Sequence, residues 1–266
     1  MDPKTAEKAQ RAQPQTEETP VIGRNAVREA LRSGRPVNTL LIKKGERTGA
    51  LLPIIAECRE RNIPIKEVDA KKLDFMCGHQ NHQGVLLLAA AADYATVEDI
   101  FAAAEARKEP PFIILCDGIE DPHNLGAIIR SAEAGGAHGM IIPERRNASL
   151  TGIVGKTSAG ALEYLKVARV KNLNSTIKEL KDRGVWVYAA DMDGESYLTA
   201  DLTGPVALVI GSEGKGVSRL TKELCDGVVS IPMKGSVNSL NASVAAAILI
   251  FKTAEKRDAE QRGQAK

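Results

Sequence analysis

The sequence predicts an α/β protein whose larger part is a mainly parallel sheet with helices on both faces, preceded by a smaller α/β domain. Three observations point there. Short apolar runs alternate with helical stretches along most of the chain, the pattern of strands and crossover helices packed in layers. At 266 residues the chain has room for two domains of about 100–200 residues each. An Ala- and Glu-rich stretch then ends at Pro110-Pro111, a helix-breaking pair between the two halves. The expected boundaries are 1–20 for a polar, disordered tail, 21–92 for the first domain, 93–111 for a linker, 112–256 for the second domain and 257–266 for a charged tail that frays.

In the first domain Arg24, Arg28 and Arg32 recur every four residues, with Arg35 just beyond, while Val27, Ala30 and Leu31 fall on the opposite side. That spacing gives an amphipathic helix with an arginine stripe. The stripe is either a solvated face or a phosphate contact, a role that suits guanidinium. Thr39–Ile42, Ile63–Ile65 and Gly84–Ala89 read as strands and Leu51–Arg61 as a helix. Cys77, His79 and His82 form Cys-x-His-x-x-His, three possible metal ligands without a clear fourth, so a turn before the strand is the expectation and no metal is assigned.

The linker carries a helix over Val97–Arg107. In the second domain Phe112–Cys116, Gly139–Ile142, Val167–Val170, Val185–Ala190, Val206–Ile210 and 228–231 read as strands. Asn124, a good N-cap, opens a helix whose Leu125, Ile128, Ile129 and Ala132 can pack on the sheet. Arg130 among those neighbours is not explained by packing. Further helices are expected over Ile153–Leu162, Ser175–Arg183, 217–225 and about Ser239–Glu255, the last with Leu240, Val244, Ile248 and Phe251 as its apolar face.

Charge and cysteine usage narrow the class. Net charge is only +2, but residues 1–92 hold 15 Lys+Arg against 11 Asp+Glu, so any nucleic acid would face the first half. The four cysteines are scattered without a C-x-x-C, which fits reduced thiols in the cytoplasm. The N-terminus does not read as a signal peptide, and no apolar run approaches the ~20 residues that span a membrane.

The chemistry concentrates between Val206 and Ala247. Gly211-Ser-Glu-Gly-Lys-Gly216, Ser230-Ile-Pro-Met233 and Ser239-Leu-Asn-Ala-Ser243 each stand where a strand ends or a helix begins, where open α/β sheets bind ligands. Lys215 followed by Gly216 excludes a P-loop, and there is no G-x-G-x-x-G after a first strand. A nucleotide-like ligand must be held some other way.

These residues, with Asn124-Leu-Gly-Ala-Ile-Ile-Arg130, resemble the three motifs of the SpoU/TrmH group of SPOUT methyltransferases, in order and with family-like spacing. The resemblance runs from about Val21 to Phe251, and the bacterial 23S rRNA guanosine-2′-O-methyltransferases are the most similar branch. It implies transfer of a methyl group from S-adenosylmethionine to a ribose 2′-oxygen of RNA, without a metal. It also implies a deep trefoil knot near the C-terminus, where pattern alone would give an unknotted sheet. The first domain would be an L30e-like substrate-binding domain, and the enzyme a homodimer with active sites at the interface.

Carried over residue by residue, the resemblance assigns the cofactor to Gly211, Ile231 and Leu240, with Met233 and Ser239 nearby. Catalysis falls to Arg130, with Glu213, Asn124 and Asn241 orienting groups around it. A guanidinium stays protonated, so Arg130 is expected to bind phosphate and stabilise the developing oxyanion. RNA contacts fall to Arg24, Asn25 and Arg28 of the Gly-Arg-Asn-Ala-Val stretch, to His82 and Gln83, and to Arg145. Two alternatives remain open: a same-fold enzyme acting on tRNA or a ribosomal adenosine, and a catalytically silent RNA-binding assembly protein.

Overall fold

The computed structural model describes residues 20–32, 34, 36–46, 49–236 and 239–264. The expected N-terminal tail, up to residue 19, and Arg35 lie outside them; Pro20 already belongs to the first strand.

The first domain is a four-stranded sheet in the order β1-β4-β2-β3. Its strands are β1 (Pro20–Ile22), β2 (Val37–Lys43), β3 (Ile65–Val68) and β4 (Val85–Ala89), with helices α1 (Arg24–Arg32), α2 (Leu52–Glu60) and α3 (Ala70–Met76) between them. β4 runs antiparallel to both β1 and β2, and β3 runs parallel to β2. α1 buries Val27, Ala30 and Leu31 as its spacing requires. α3 was not expected from the pattern; Asp69 starts it by accepting a hydrogen bond from Lys72 N at 2.8 Å.

The second domain is a six-stranded, wholly parallel sheet in the order β10-β8-β9-β5-β6-β7. The strands are β5 (Phe112–Asp117), β6 (Gly139–Pro143), β7 (Lys166–Val170), β8 (Trp186–Ser196), β9 (Val206–Gly211) and β10 (Gly227–Ser230). The helices are α4 (Val97–Arg107), α5 (Pro122–Ala134), α6 (Gly152–Thr157), α7 (Leu173–Asp182), α8 (Arg219–Leu224) and α9 (Ala242–Gln264). Apolar side chains alternate to the two faces of β5 and β9, so Phe112, Ile114 and Leu208 enter one core and Ile113, Leu115 and Val209 the other. The chain leaves β5 toward β6 and β7 on one side, then returns to build β8, β9 and β10 on the other. The carboxyl ends of β5 and β9 therefore flank the switch point of the sheet.

Five expectations change. The linker 93–111 is not a free connector: Val97 and Ile100 of α4 are buried against the second sheet, and Gly139 lacks a Cβ where Ile100 Cγ1 would stand 2.5 Å away. Asn124 is not an N-cap. Pro122 takes the first helical position, Asp121 caps α5 by accepting from His123 N, and Asn124 lies within the first turn. The stretch expected as one helix over 153–162 breaks after α6, where Ala159 and Gly160 adopt φ of 50° and 89°. The tail 257–266 does not fray from its first residue, because α9 continues to Gln264. Arg257 is buried there and donates to Pro110 O at 2.6 Å and to Gly204 O. Finally, α9 buries Ala242, Ala246, Leu249 and Ile250, leaving Val244 and Phe251 about half exposed.

Candidate active site

β9 runs straight into the glycine turn. Ser212 and Gly216 exchange backbone hydrogen bonds, at 3.1 and 2.9 Å, so residues 212–216 form a closed loop. Gly214 and Gly216 turn it with φ of 79° and 64°. Gly211 has a different reason: a Cβ there would lie 2.1 Å from Gly216 C and Val217 N. Asp117, at the end of β5, pins the far side by accepting from Ser218 N at 2.9 Å.

This loop separates two cavities. The first, of about 300 Å³, is enclosed by the ends of β8, β9 and β10 and the approach to α9. Gly211, Ile231, Met233, Ser239 and Leu240 all line it, so the residues assigned to the cofactor come together. Its walls also include Ile210, Val229 and Leu249. The second, of about 480 Å³, shares Ser212, Glu213, Lys215 and Gly216 with the first and continues along 117–121, Asn124, Arg146 and Ser218.

Asn124, Glu213 and Asn241 meet at the partition. Asn124 Nδ2 donates to Glu213 Oε1 at 3.0 Å, and Asn241 Nδ2 donates to the same oxygen and to Asn124 Oδ1. Asn241 Oδ1 in turn accepts from Ser243 N, at 2.9 Å, and from Val244 N, capping α9. One residue from each of the three motifs thus forms a single network. Glu213 Oε2 carries no hydrogen bond among the described residues.

Arg130 stands apart. It is exposed on α5, lines neither cavity, and has no hydrogen bond or ion pair among the described residues. Arg145 is exposed after β6. In the first domain Arg24 is held inward: Nε donates to Gln83 O at 2.9 Å and Nη2 pairs with Glu46 at 3.1 Å. Gln83 Oε1 accepts from Arg24 N at 3.0 Å. Asn25 is exposed, and Arg28 is half-buried and donates to Ala50 O. His82 Nδ1 accepts from Gly84 N and its Nε2 faces Asp74 Oδ1, each at 2.9 Å, so neither ring nitrogen is open to a metal. Burial raises the pKa of the Cys77 thiol, and the Cys-His-His pattern is a turn.

The sequence reading missed one wall of the first cavity. β8 does not stop at Ala190. It pairs with β10 at Ala189, bulges, and resumes at Glu195, so Ala190, Asp191 and Met192 swing into the first cavity. Gly194 is obligatory at the rejoining point, where a Cβ would meet Val228 C and O at 2.5 Å. Lys222 pairs with Asp191 at 2.8 Å and with Asp193 at 3.0 Å. The bond to Asp191, then that to Asp193, holds the Lys222 pKa above its ordinary value. The signal in the sequence was Asp191-Met-Asp-Gly194, polar and glycine-ended after an apolar run.

Residues 111–251 match the SpoU rRNA Methylase family, and residues 20–95 match the RNA 2′-O ribose methyltransferase substrate binding family. The chain belongs to the SpoU rRNA methylase family. A Bacillus subtilis strain 168 protein, YacO, assigned to the TrmH family of tRNA/rRNA methyltransferases, is 47% identical over 239 residues, 90% of this chain and 96% of that one. The SpoU methyltransferase AviRb of Streptomyces viridochromogenes, solved with AdoMet, superposes with a TM-score of 0.57 at 26% identity over 97% of this chain and all (100%) of that one. An AdoMet-bound rRNA methyltransferase of Sinorhizobium meliloti gives 0.56 at 26% identity, covering 91% of this chain and 88% of that one.

This SpoU protein is therefore an S-adenosylmethionine-dependent RNA 2′-O-ribose methyltransferase. Its first cavity fits the cofactor on its own terms: Ile210, Val229 and Leu249 give apolar walls for a base, and the Asp191 carboxylate, shared with Lys222, lines the same space. When bound, S-adenosylmethionine supplies a methyl group on a sulfonium, already activated toward an oxygen nucleophile. No described helix is long and apolar enough to cross a membrane.

Proposed function

We propose that the enzyme methylates the ribose 2′-hydroxyl of a guanosine in 23S rRNA, as a homodimer in the cytoplasm. The observation that carries this reading is the 211–216 partition, with Glu213 facing the cavities on both of its sides. The second cavity is the seat of the target nucleotide. Gly211, Ile231, Met233, Ser239 and Leu240 hold the cofactor across the partition, and Asn124 and Asn241 hold Glu213 in place. Its free Oε2 orients the 2′-hydroxyl and takes its proton as the oxygen is methylated. Arg130 binds the adjacent phosphate and stabilises the developing oxyanion.

A homodimer is supported by two features of one surface. Arg130 reaches no cavity within its own chain, and α9, which packs on α5, exposes Val244 and Phe251 beside half-buried Ile248. The family's rRNA description and the attached substrate-binding domain support ribosomal RNA over tRNA. Asn25, Arg28 and Arg145 contact RNA, while Arg24, His82 and Gln83 shape the surface from beneath. The four free thiols support a reducing compartment, which cell fractionation tests. The C-terminal knot rests on the family resemblance; a crystallographic trace of 231–242 passing outside the 211–218 loop would remove it.

The experiment is transfer of labelled methyl from S-adenosylmethionine to unmodified 23S rRNA, 16S rRNA and tRNA, with mapping of the product. One labelled 23S guanosine is the expected result. Label on tRNA or on an adenosine replaces the substrate, and failure on all three with no cofactor binding leaves an RNA-binding protein.

A further inference from the structure

The two domains are joined by a buried polar network as well as by the connecting peptide. Asn38 of β2 is fully buried, yet its side chain crosses to the second domain. Its Nδ2 donates to Leu150 O at 3.1 Å, and its Oδ1 accepts from the Tyr94 hydroxyl at 2.6 Å. The same hydroxyl accepts from Leu150 N at 3.0 Å. Arg169 of β7 closes the far side, donating to Asn38 O at 2.7 Å with its guanidinium 4.0 Å over the Tyr94 ring. Networks of this kind hold one geometry, because a partly satisfied buried amide is costly.

Leu150 leads on to the reaction site. Ile119 N donates to Asn147 Oδ1 at 2.9 Å, and Ala148 N donates to Ile119 O at 2.7 Å. The segment 147–150 that receives the network therefore also sets the 118–121 wall of the second cavity. We infer that Asn38, Tyr94 and Arg169 form a latch that fixes the arginine-bearing domain against the methyl-transfer site. The substrate is then a folded RNA that presents its target nucleotide at a set distance from the contacted backbone. The latch residues are positioning residues, since none lines either cavity. The substrate half of this inference rests on the RNA reading above; the mechanical half does not.

Spin labels test the mechanical half. Glu29→Cys on α1 and Lys178→Cys on α7 place labels on exposed positions of the two domains. Cys225→Ser removes the native thiol that is not buried. Diluting with unlabelled protein restricts the readout to distances within one chain. One narrow distance is expected, broadened by Asn38→Ala and by Tyr94→Phe. A broad distribution in the parent, or narrow ones in both variants, overturns the latch. Tyr94→Phe keeps the ring beneath Arg169 and removes only the hydroxyl, so it carries the test if Asn38→Ala fails to fold.

On unmodified 23S rRNA, Tyr94→Phe is expected to lose roughly ten- to hundredfold in kcat/KM through misplacement of the target. Its Kd for S-adenosylmethionine stays unchanged, which a general structural defect would not allow. A short unstructured oligonucleotide carrying only the mapped target, if methylated as well as the whole rRNA, overturns the folded-RNA requirement. Failure of the parent enzyme on every RNA sinks the substrate reading and leaves the distance result standing.

Discussion

Replacing Glu213 by Gln keeps the shape of the partition and removes its charge. Asn124 and Asn241 both donate to Glu213 Oε1, and a Gln carbonyl oxygen can accept both bonds in the same place. The exchange of charge-assisted for neutral bonds costs about 1–2 kcal/mol of stability. At Oε2, however, an acceptor becomes an NH₂ that can only donate. If Glu213 takes the 2′-hydroxyl proton, transfer slows by about 10²–10⁴-fold, or about 3–5 kcal/mol at 1.36 kcal/mol per decade. Glu213→Ala gives a contrasting result: Asn124, only 7% exposed, loses its acceptor, at a further cost of about 1–3 kcal/mol. The assay is single-turnover transfer of labelled methyl, with cofactor affinity by calorimetry and Tm alongside. The Gln variant should bind cofactor normally and stay folded while chemistry fails. Transfer within roughly tenfold of the parent refutes the proton-acceptor role.

Gly211→Ala forces a Cβ to within 2.1 Å of backbone, so the partition must open at a typical overpacking cost of ~1–3 kcal/mol; calorimetry should show weakened cofactor binding, and unchanged affinity refutes the cradle. Arg130→Lys should retain more activity than Arg130→Ala in the same transfer assay, whereas equal loss argues against a charge role. Phe251→Glu should shift a dimer toward monomer in light scattering by placing a charge on the exposed α9 face; an unchanged mass removes that face from the interface. His138 gives a pH signature. Its Nδ1 accepts from Phe112 N at 2.9 Å, so the ring is neutral with Nε2–H facing Glu109. Burial first, then Arg107, holds its pKa below 6.5 despite Glu109. The unfolded chain therefore binds the proton more readily, and the stability contributed by His138 is complete above pH 6.5 and declines as pH falls through the folded-state pKa. Tm measured against pH should fall more steeply below 6.5 for the parent than for His138→Gln, and parallel curves refute the assignment.

Much of this was legible because it is local. Apolar runs bounded by turn residues located nearly every strand of the parallel sheet, and the Ala- and Glu-rich run of Val97–Arg107 is α4. The five residues that the family resemblance assigns to the cofactor all line one cavity. What failed depended on partners distant in sequence. Asn124 reads as a cap because its residue type suits that position; Asp121-Pro122 displaces it, and its amide turns to Glu213, 89 positions away. Asp191 carried a turn signal but not its place in the cavity, because the β8 bulge is defined by pairing with Val228 and Val229. The latch was invisible for the same reason: Asn38 is an unremarkable polar residue in a strand until Tyr94 and Leu150 are brought to it.

The last helix carries the largest misreading, and its cause is informative. Val244, Ile248 and Phe251 satisfy the spacing of a buried face, yet Ala242, Ala246, Leu249 and Ile250 are the residues that enter the core. Both faces are apolar, so periodicity alone cannot choose between them. The choice is made by the fit against α5. Gly135 has no room for a Cβ, since Ile250 Cγ2 would lie 2.4 Å from it, and this contact seats Ile250 against α5. Ala242 and Ala246 on that side let α9 approach α5 closely, and Val244 and Phe251 are left outside. One apolar face of α9 is thus sealed within the chain and a second is left half exposed, the surface that the proposed homodimer would cover. The exposed apolar face lies on the helix pair that carries Arg130, which lines neither cavity. A single association along α9 would thus bury the exposed face and bring Arg130 to a site it cannot reach alone.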